Sequence, residues 1–195
     1  MISLESLKRK AKSCRACPLW EHATQTVFGE GEPAAQIVMV GEQPGNDEDL
    51  AGKPFVGPAG KLLDKALQEA GIDRKKVYVT NVVKHFKWEP KGKRRLHKKP
   101  NAREIAACRQ WLDAELAILK PRLVVCLGAT AAQALLGKDF KVSQQRGEMV
   151  KSDIAEHVTA TVHPSSILRA PDQKSRHAQL KEFVKDLKKF AHFLR

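Results

Sequence analysis

The sequence predicts a three-layer α/β/α fold with a central, mostly parallel four-stranded sheet. Short apolar runs alternate with longer segments of helical periodicity, an order typical of a parallel sheet with helices on both faces. The candidate strands are at residues 36–40, 77–83, 122–127 and 158–162. The candidate helices are at residues 4–11, 58–70, 101–119, 129–136 and 173–194.

Local residue patterns justify these elements in chain order. Residues 37–40 are continuously apolar, and residues 122–127 contain a similar run, which indicates buried strands. Pro58 has a fixed φ that suits the first turn of a helix. The last helix carries an apolar stripe, which we interpret as core packing. Its members are Leu180, Phe183, Val184, Leu187 and Phe190.

Length and charge limit the functions to consider. A chain of 195 residues with 42% hydrophobic residues forms one domain over residues 1–195. A net charge of +13 and a pI near 9.7 favour a polyanionic partner such as nucleic acid, although a lysine-rich surface alone would also produce them. No apolar run approaches the roughly 18 residues of a membrane span, and the N-terminus lacks the apolar core of a signal peptide. We therefore expect a cytoplasmic protein with no membrane association, and a monomer.

Four cysteines suggest a metal site. Cys14 and Cys17 form a C-x2-C pair, and Cys108 and Cys126 are separated by 17 residues. Disulfides are rare in the cytosol, so four thiols favour a zinc ion or an iron–sulfur cluster. Unlinked buried thiols are the third alternative, particularly for Cys126 in its apolar strand.

The loop at residues 41–60 follows a predicted strand, where open α/β sheets bind ligands. It lacks the GxGxxG and GxxxxGK[ST] patterns, so neither dinucleotide binding nor nucleoside triphosphate chemistry is indicated. Its acidic residues Asp47, Glu48 and Asp49 are expected to cap a helix or order the loop.

Four motifs occur in an order that resembles the iron–sulfur branch of the uracil-DNA glycosylase superfamily. They are the segment at residues 41–45, then Phe55, Asn81, and a late His-Pro-Ser motif that begins at His163. The resemblance covers essentially the whole chain and implies the uracil-DNA glycosylase fold. It also implies a [4Fe–4S] cluster, with a structural role, held by Cys14, Cys17, Cys108 and Cys126.

The resemblance also implies how a flipped uracil is read. Phe55 would stack on the base, and the amide of Asn81 would match both O4 and N3–H, whereas cytosine presents the opposite pattern. His163 would donate a hydrogen bond to O2 as negative charge develops there. The expected product is free uracil.

Three consecutive residues after the first strand complete the expected pocket. Gly41 and Gln43 would bind the substrate, Gln43 through its backbone. Glu42 would position water or stabilise the cationic sugar. Ser165, Ser166 and Arg169 would contact the DNA backbone, since hydroxyls and arginine are common phosphate partners.

Residues 84–100 form a basic insertion. Residues 84–99 include eight Lys or Arg residues and one acid, Glu89. A non-specific DNA clamp is one interpretation. Its centre, Lys93, Arg94, Arg95, Leu96 and His97, resembles the Lys-Arg-Arg-Ile-His loop of the UdgX subgroup, which forms a covalent link with uracil-containing DNA. Leucine replaces isoleucine here, a swap that conserves volume.

In that interpretation His97 attacks the sugar C1′ once uracil has left, because a held imidazole competes effectively with water. The protein would then act once, preferably on single-stranded DNA. Lys93, Arg94 and Arg95 would hold the loop and the phosphates. A conventional glycosylase that releases an abasic site and a non-catalytic single-strand binding module are the alternatives.

Overall fold

A computed structural model describes residues 3–194. The strands are β1 Ile37–Gly41, β2 Val77–Asn81, β3 Trp88–Lys91, β4 Arg94–His97, β5 Leu123–Leu127, β6 Val150–Ser152 and β7 Ala155–Thr161. The helices are α1 Leu4–Ala11, α2 Asn46–Ala51, α3 Pro58–Glu69, α4 Ala102–Leu119, α5 Ala129–Leu136, α6 Val142–Gln145, α7 Pro164–Leu168 and α8 Gln173–Phe190. Short 3-10 turns lie at Pro18–Glu21, Arg74–Lys76 and Ala191–Leu194.

The central sheet has five strands in the order β2-β1-β5-β7-β6. The first four of these are parallel, and β6 runs antiparallel to β7. Gly41 pairs with Asn81, so the carboxyl ends of β1 and β2 meet at one edge. Because parallel strands end at the same edge, the loops that follow them converge there.

Helices cover both faces of the sheet, as predicted. Side chains of a strand alternate between the faces. In β1, Val38 and Val40 pack with α4 and α5, whereas Ile37 and Met39 pack with α3 and α8. The predicted α/β/α layering is therefore confirmed.

The predicted count of four strands is one short, because β6 was not recognised. Val150 is exposed and Ser152 only half-buried, so the segment has no buried run by which sequence reveals a strand. Its antiparallel position at the edge leaves the mostly parallel character of the sheet intact. The predicted strand at 158–162 also begins earlier, at Ala155.

The basic insertion is ordered as a β-hairpin. β3 and β4 pair antiparallel, with Trp88 opposite His97. Gly92 opens the turn with φ of +57°, a region that favours glycine. Both strands are largely exposed and polar, which is why their periodicity gave no signal.

Boundaries elsewhere follow the sequence closely. α1 and α5 begin and end where predicted, and the last helix ends at Phe190 before a 3-10 turn. The short helices α2, α6 and α7 were not predicted. Within residues 3–194, no helix combines the length and apolarity that crossing a membrane requires.

Candidate active site

A cavity of about 850 Å³ opens at the carboxyl ends of β1, β2 and β5. It brings together residues that lie as far apart in the chain as β1 and α7. Those singled out from the sequence that line it are Glu42, Gln43, Phe55, Asn81, His97, His163, Ser165, Ser166 and Arg169.

Asn81 ends β2 at the cavity wall and is 3% exposed. Its side-chain Oδ1 is buried and has no hydrogen-bond partner among the residues described. Such an atom is costly unless a ligand pairs with it. Its backbone carbonyl accepts a 2.7 Å hydrogen bond from Nζ of Lys84, which fixes the strand end. Asn81 thus ends a fixed strand and presents a free side-chain acceptor to the cavity.

Lys84 was counted with the basic insertion, but the structure buries it. Its Nζ pairs with Glu115 and also donates to Thr80, and its side chain is 1% exposed. Lys84 therefore supports β2 and does not contribute to a DNA-facing surface.

Gly41 makes room for Asn81 and Phe55. A Cβ on Gly41 would lie 2.4 Å from Asn81 Oδ1 and 2.8 Å from Phe55 Cζ, which no unstrained structure allows. Phe55 has φ of +56°, unusual for a bulky residue, and its ring centroid lies 6.1 Å from that of His163. Gly41 thus shapes the pocket through the absence of a side chain.

His163 caps the N-terminus of α7. Its Nδ1 accepts the backbone N–H of Ser165 at 3.2 Å, with Ser165 Oγ 2.8 Å away. A neutral ring that accepts at Nδ1 carries its proton on Nε2. Burial, together with the nearby positive charges of Arg169 and His97, lowers the pKa of His163 to about 4. The ring is a neutral Nε2–H donor at physiological pH.

Glu42 lies between His97 and Thr130. Its Oε1 is 3.5 Å from Nε2 of His97, and its Oε2 accepts a short hydrogen bond from the Thr130 hydroxyl. His97 sits on β4 with half its side chain exposed. Thr130 was not recognised from the sequence, where its only signal is its place just after β5.

Gln43 fastens the hairpin to the pocket. Its side-chain Nε2 donates to the carbonyls of Lys87 and Lys98 at 3.2 and 3.1 Å, and its Oε1 accepts from the Lys87 N–H at 3.2 Å. The side chain is therefore committed to the hairpin, and the backbone of Gln43 is left for a ligand.

Arg95 also fastens the hairpin. Its Nη1 lies 2.6 Å from Oδ2 of Asp49, and its Nε donates to Asn46 Oδ1 at 2.8 Å. Its guanidinium also lies 5.4 Å from the ring centres of Phe86 and Trp88. Arg95 is directed inward, whereas Lys93 and Arg94 are exposed at the turn.

The acidic loop residues have ordering roles, as predicted for Glu48 and Asp49. Glu48 accepts the backbone N–H groups of Gly45 and Gly57 at 2.9 and 2.7 Å. Asp49 accepts the N–H of Thr24 at 3.0 Å in addition to Arg95.

The pocket rim near α7 carries the residues proposed to contact DNA. Ser166 Oγ donates to the carbonyl of His163 at 2.8 Å, so this hydroxyl also stabilises the turn. Arg169 and Ser165 line the cavity beside it.

Three of the four thiols lie near one another. The pKa of Cys108 is raised to about 11 by burial, with a contribution from the charges of Cys14 and Cys17. Trp111 Nε1–H donates to Cys14 Sγ at 3.1 Å, and the Lys84 N–H donates to Cys108 Sγ at 3.2 Å. Donors to sulfur are a common feature of iron–sulfur sites.

Within residues 3–194, no three His, Cys, Asp or Glu side chains are grouped so as to hold one metal ion.

The fold and pocket define an α/β protein with an open site at the carboxyl ends of its parallel strands, and comparison with known proteins gives its family. The model of the uracil-DNA glycosylase superfamily matches residues 28–188, and the chain belongs to this superfamily.

Individual relatives refine the placement. The chain is similar to a type-4 uracil-DNA glycosylase of Thermotoga maritima, 39% identical over 93% of this chain and 92% of the relative. The type-4 enzyme of Archaeoglobus fulgidus is 37% identical over 97% and 92%. A type-5 enzyme of Thermus thermophilus is 33% identical over 68% and 62%.

Proposed function

We propose that this protein excises uracil from DNA and then becomes covalently linked to the sugar through His97. Uracil-DNA glycosylase activity is supported by superfamily membership and by full-length similarity to type-4 enzymes. The covalent step is the finer part of the proposal and rests on the position of His97 beside Glu42.

The observation that carries base recognition is the unpartnered Oδ1 of Asn81. It suits uracil N3–H, and the amide nitrogen suits O4. His163, neutral with its proton on Nε2, suits O2 and would stabilise the departing uracil anion. Phe55 closes the pocket by stacking on the base, worth about 1–3 kcal/mol.

Bond cleavage precedes the link. The C1′–N1 bond breaks with its electron pair remaining on uracil, which leaves as an anion and is protonated to free uracil. The sugar becomes an oxocarbenium ion, whose positive charge the Glu42 carboxylate stabilises.

His97 then donates a ring-nitrogen lone pair to C1′. The new C1′–N bond leaves a positive charge on the imidazole, which Glu42 offsets until the ring loses its remaining N–H proton. A held nucleophile has a high effective concentration relative to water. The product is a stable adduct, so each molecule acts once.

The hairpin supports this reaction through its attachments. Gln43 and Arg95 fix it at both ends, so His97 is presented at the pocket by a rigid element. Lys93 and Arg94, with Ser165, Ser166 and Arg169 across the pocket, would bind the DNA phosphates. Single-stranded DNA is the preferred substrate because its base leaves the stack at lower cost.

A [4Fe–4S] cluster is part of the proposal. Cys14, Cys17 and Cys108 would hold it, and it would tie the N-terminal segment to α4. Cys126, the fourth ligand expected from the sequence, lies fully buried inside β5. The contribution of the cluster is structural, since the thiols lie on the side of Lys84 and α4 away from the base pocket.

The testing experiment is a denaturing gel of protein mixed with a labelled single-stranded oligonucleotide that carries one uracil. The wild type is expected to give a heat-stable shifted band. No such band is expected with a thymine oligonucleotide or with His97→Ala. Leu96→Ala, at the exposed neighbour of His97, is the matched control and retains the band.

Two outcomes would contradict the proposal in different ways. Free abasic product without a shifted band would indicate a conventional glycosylase, the second candidate, which the similarity to type-4 enzymes favours. If folded protein gave neither product, glycosylase activity would be excluded. The remaining candidate would be a non-catalytic DNA-binding module.

A further inference from the structure

Thr130 and Glu42 follow the ends of two neighbouring strands. β1 and β5 are adjacent and parallel, with Val40 opposite Cys126, so the segments that follow them start side by side. Glu42 comes one residue after the end of β1, and Thr130 comes three residues after the end of β5. The sheet topology therefore brings these two side chains together, although they are 88 residues apart in the chain.

The first turn of α5 holds Thr130 beside the pocket. A single residue, Gly128, connects β5 to α5. Its N–H donates to the carbonyl of Thr161 at the end of β7 at 2.8 Å, and its carbonyl accepts the N–H of Ala132 at 3.1 Å. Thr130 lies between these two anchored points, is 7% exposed and lines the cavity.

The hydroxyl of Thr130 is not used by its own helix. A threonine inside a helix commonly bonds back to the carbonyl four residues earlier, but Thr130 is the second residue of α5 and donates to Oε2 of Glu42 instead. A hydroxyl has one proton to donate, and a hydrogen bond to a charged acceptor is stronger than one between neutral groups. The hydroxyl therefore serves Glu42 and not the stability of α5.

The carboxylate of Glu42 has two polar neighbours among residues 3–194. They are the hydroxyl of Thr130 at Oε2 and the ring of His97 at Oε1, with 3.5 Å between Oε1 and Nε2. The Glu42 side chain is 23% exposed and that of His97 is 50% exposed, so neither is held by packing alone. The bond from Thr130 is thus what fixes the direction in which Oε1 points.

We propose that Thr130 is a positioning residue, which holds Glu42 with Oε1 facing His97 and so favours attack on C1′ by His97 over attack by water. This role rests on the proposed function and adds one residue to it. In the competing reaction a water oxygen bonds to C1′, and its proton passes to a carboxylate oxygen of Glu42, which gives an abasic site. A carboxylate held between Thr130 and His97 is less free to accept that proton.

Substitutions of Thr130 test this role with a single-stranded oligonucleotide that carries one uracil. Thr130→Val removes the hydroxyl and keeps the branched shape, and it is expected to lower the ratio of adduct to free abasic DNA by about tenfold, as for a lost hydrogen bond to a charged group. Thr130→Ser keeps the hydroxyl and should restore the ratio. A denaturing gel separates the two products.

Thr159→Val is the matched control. Thr159 is fully buried in β7, and its hydroxyl has no hydrogen-bond partner in the part of the chain that the structure describes. The same chemical change at this position should therefore leave both the ratio and the rate of uracil release at the wild-type values.

A double-mutant cycle separates positioning through Glu42 from a general structural role. Because Glu42 stabilises the oxocarbenium ion in the proposed reaction, Thr130→Val should also slow single-turnover uracil release by about tenfold. In the Glu42→Gln background it should have no further effect, since the charge to be positioned is absent. Equal losses in both backgrounds, or a wild-type ratio and rate in Thr130→Val, would overturn the role of Thr130.

Failure of the proposed function would look different. A wild type that releases uracil without any adduct would contradict the covalent step, and the cycle on uracil release would still measure the contribution of Thr130. A wild type that releases no uracil would contradict both.

Discussion

His97 Nε2 lies 3.5 Å from Glu42 Oε1, although the two residues come from separate elements, the hairpin and the end of β1. Thr130 holds the other carboxylate oxygen of Glu42. One carboxylate therefore contacts both the proposed nucleophile and Thr130. In the proposed reaction Glu42 would serve excision and His97 would serve cross-linking, so substitutions of the two side chains should have different effects.

Replacing Glu42 by Gln should slow excision itself. The amide keeps the shape and can still bond to Thr130, but it removes the negative charge that stabilises the oxocarbenium ion, an effect on the order of 10²-fold. Single-turnover release of uracil, measured with labelled base, gives the rate constant. Adduct formation should fall in parallel because it follows excision. Normal excision in Glu42→Gln would show that the charge is not used.

Asn81→Ala should reduce uracil excision by roughly 10- to 100-fold. The substitution removes the hydrogen bonds to the buried edge of uracil, and leaving such a polar group unpaired costs about 1–3 kcal/mol. The Lys84 bond to the Asn81 carbonyl is retained, so the unfolding temperature should change little. Excision rates on uracil and cytosine oligonucleotides measure the effect. An unchanged ratio between the two bases would refute the recognition role of Asn81.

His163 should remain neutral throughout the physiological range, because burial and the nearby positive charges lower its pKa to about 4. Its folded pKa lies below the ordinary value of about 6.5. The stability contributed by the neutral ring is therefore complete above about pH 6.5 and declines as pH falls towards 4.

An NMR titration of the histidine ring protons, assigned with His163→Gln, measures that pKa. The His163 signals should not move between pH 8 and pH 6. A midpoint near 6.5 would contradict both the burial of the ring and its role as a neutral donor.

Gln43→Leu should lower cross-linking without a comparable loss of excision. The substitution removes three hydrogen bonds that fasten the hairpin, each contributing about 0.5–1.5 kcal/mol, so His97 is held less firmly at the sugar. We expect about a tenfold lower ratio of adduct to released uracil. Gln68→Leu, on the exposed face of α3, is the matched control and should keep the wild-type ratio. Equal ratios in the two variants would show that the hairpin needs no fastening by Gln43.

Sequence by itself determined the layered fold. Buried strands such as β1 and β5 are short apolar runs, and helices such as α3 carry local start signals, so both are visible in neighbouring residues. The exposed strands β3 and β6 lack a buried face, and their pairing therefore left no local pattern.

The pocket residues were also predictable in part. Asn81 and His163 were identified through the resemblance to uracil-DNA glycosylases, and both line the cavity at the strand ends. The sequence does not give the direction in which a side chain points or the distance between two side chains. The inward turn of Arg95, the fastening by Gln43 and the contact of Glu42 with Thr130 join residues tens of positions apart.

The cysteines illustrate the same limit. Four thiols in one sequence left zinc, a cluster and unlinked thiols open, and the resemblance implied the cluster, but residue type does not reveal which way a side chain points. Only the tertiary structure separates Cys126, inside β5, from Cys108 beside Lys84. Ligand geometry depends on packing between distant segments, and that packing is decided when the chain folds.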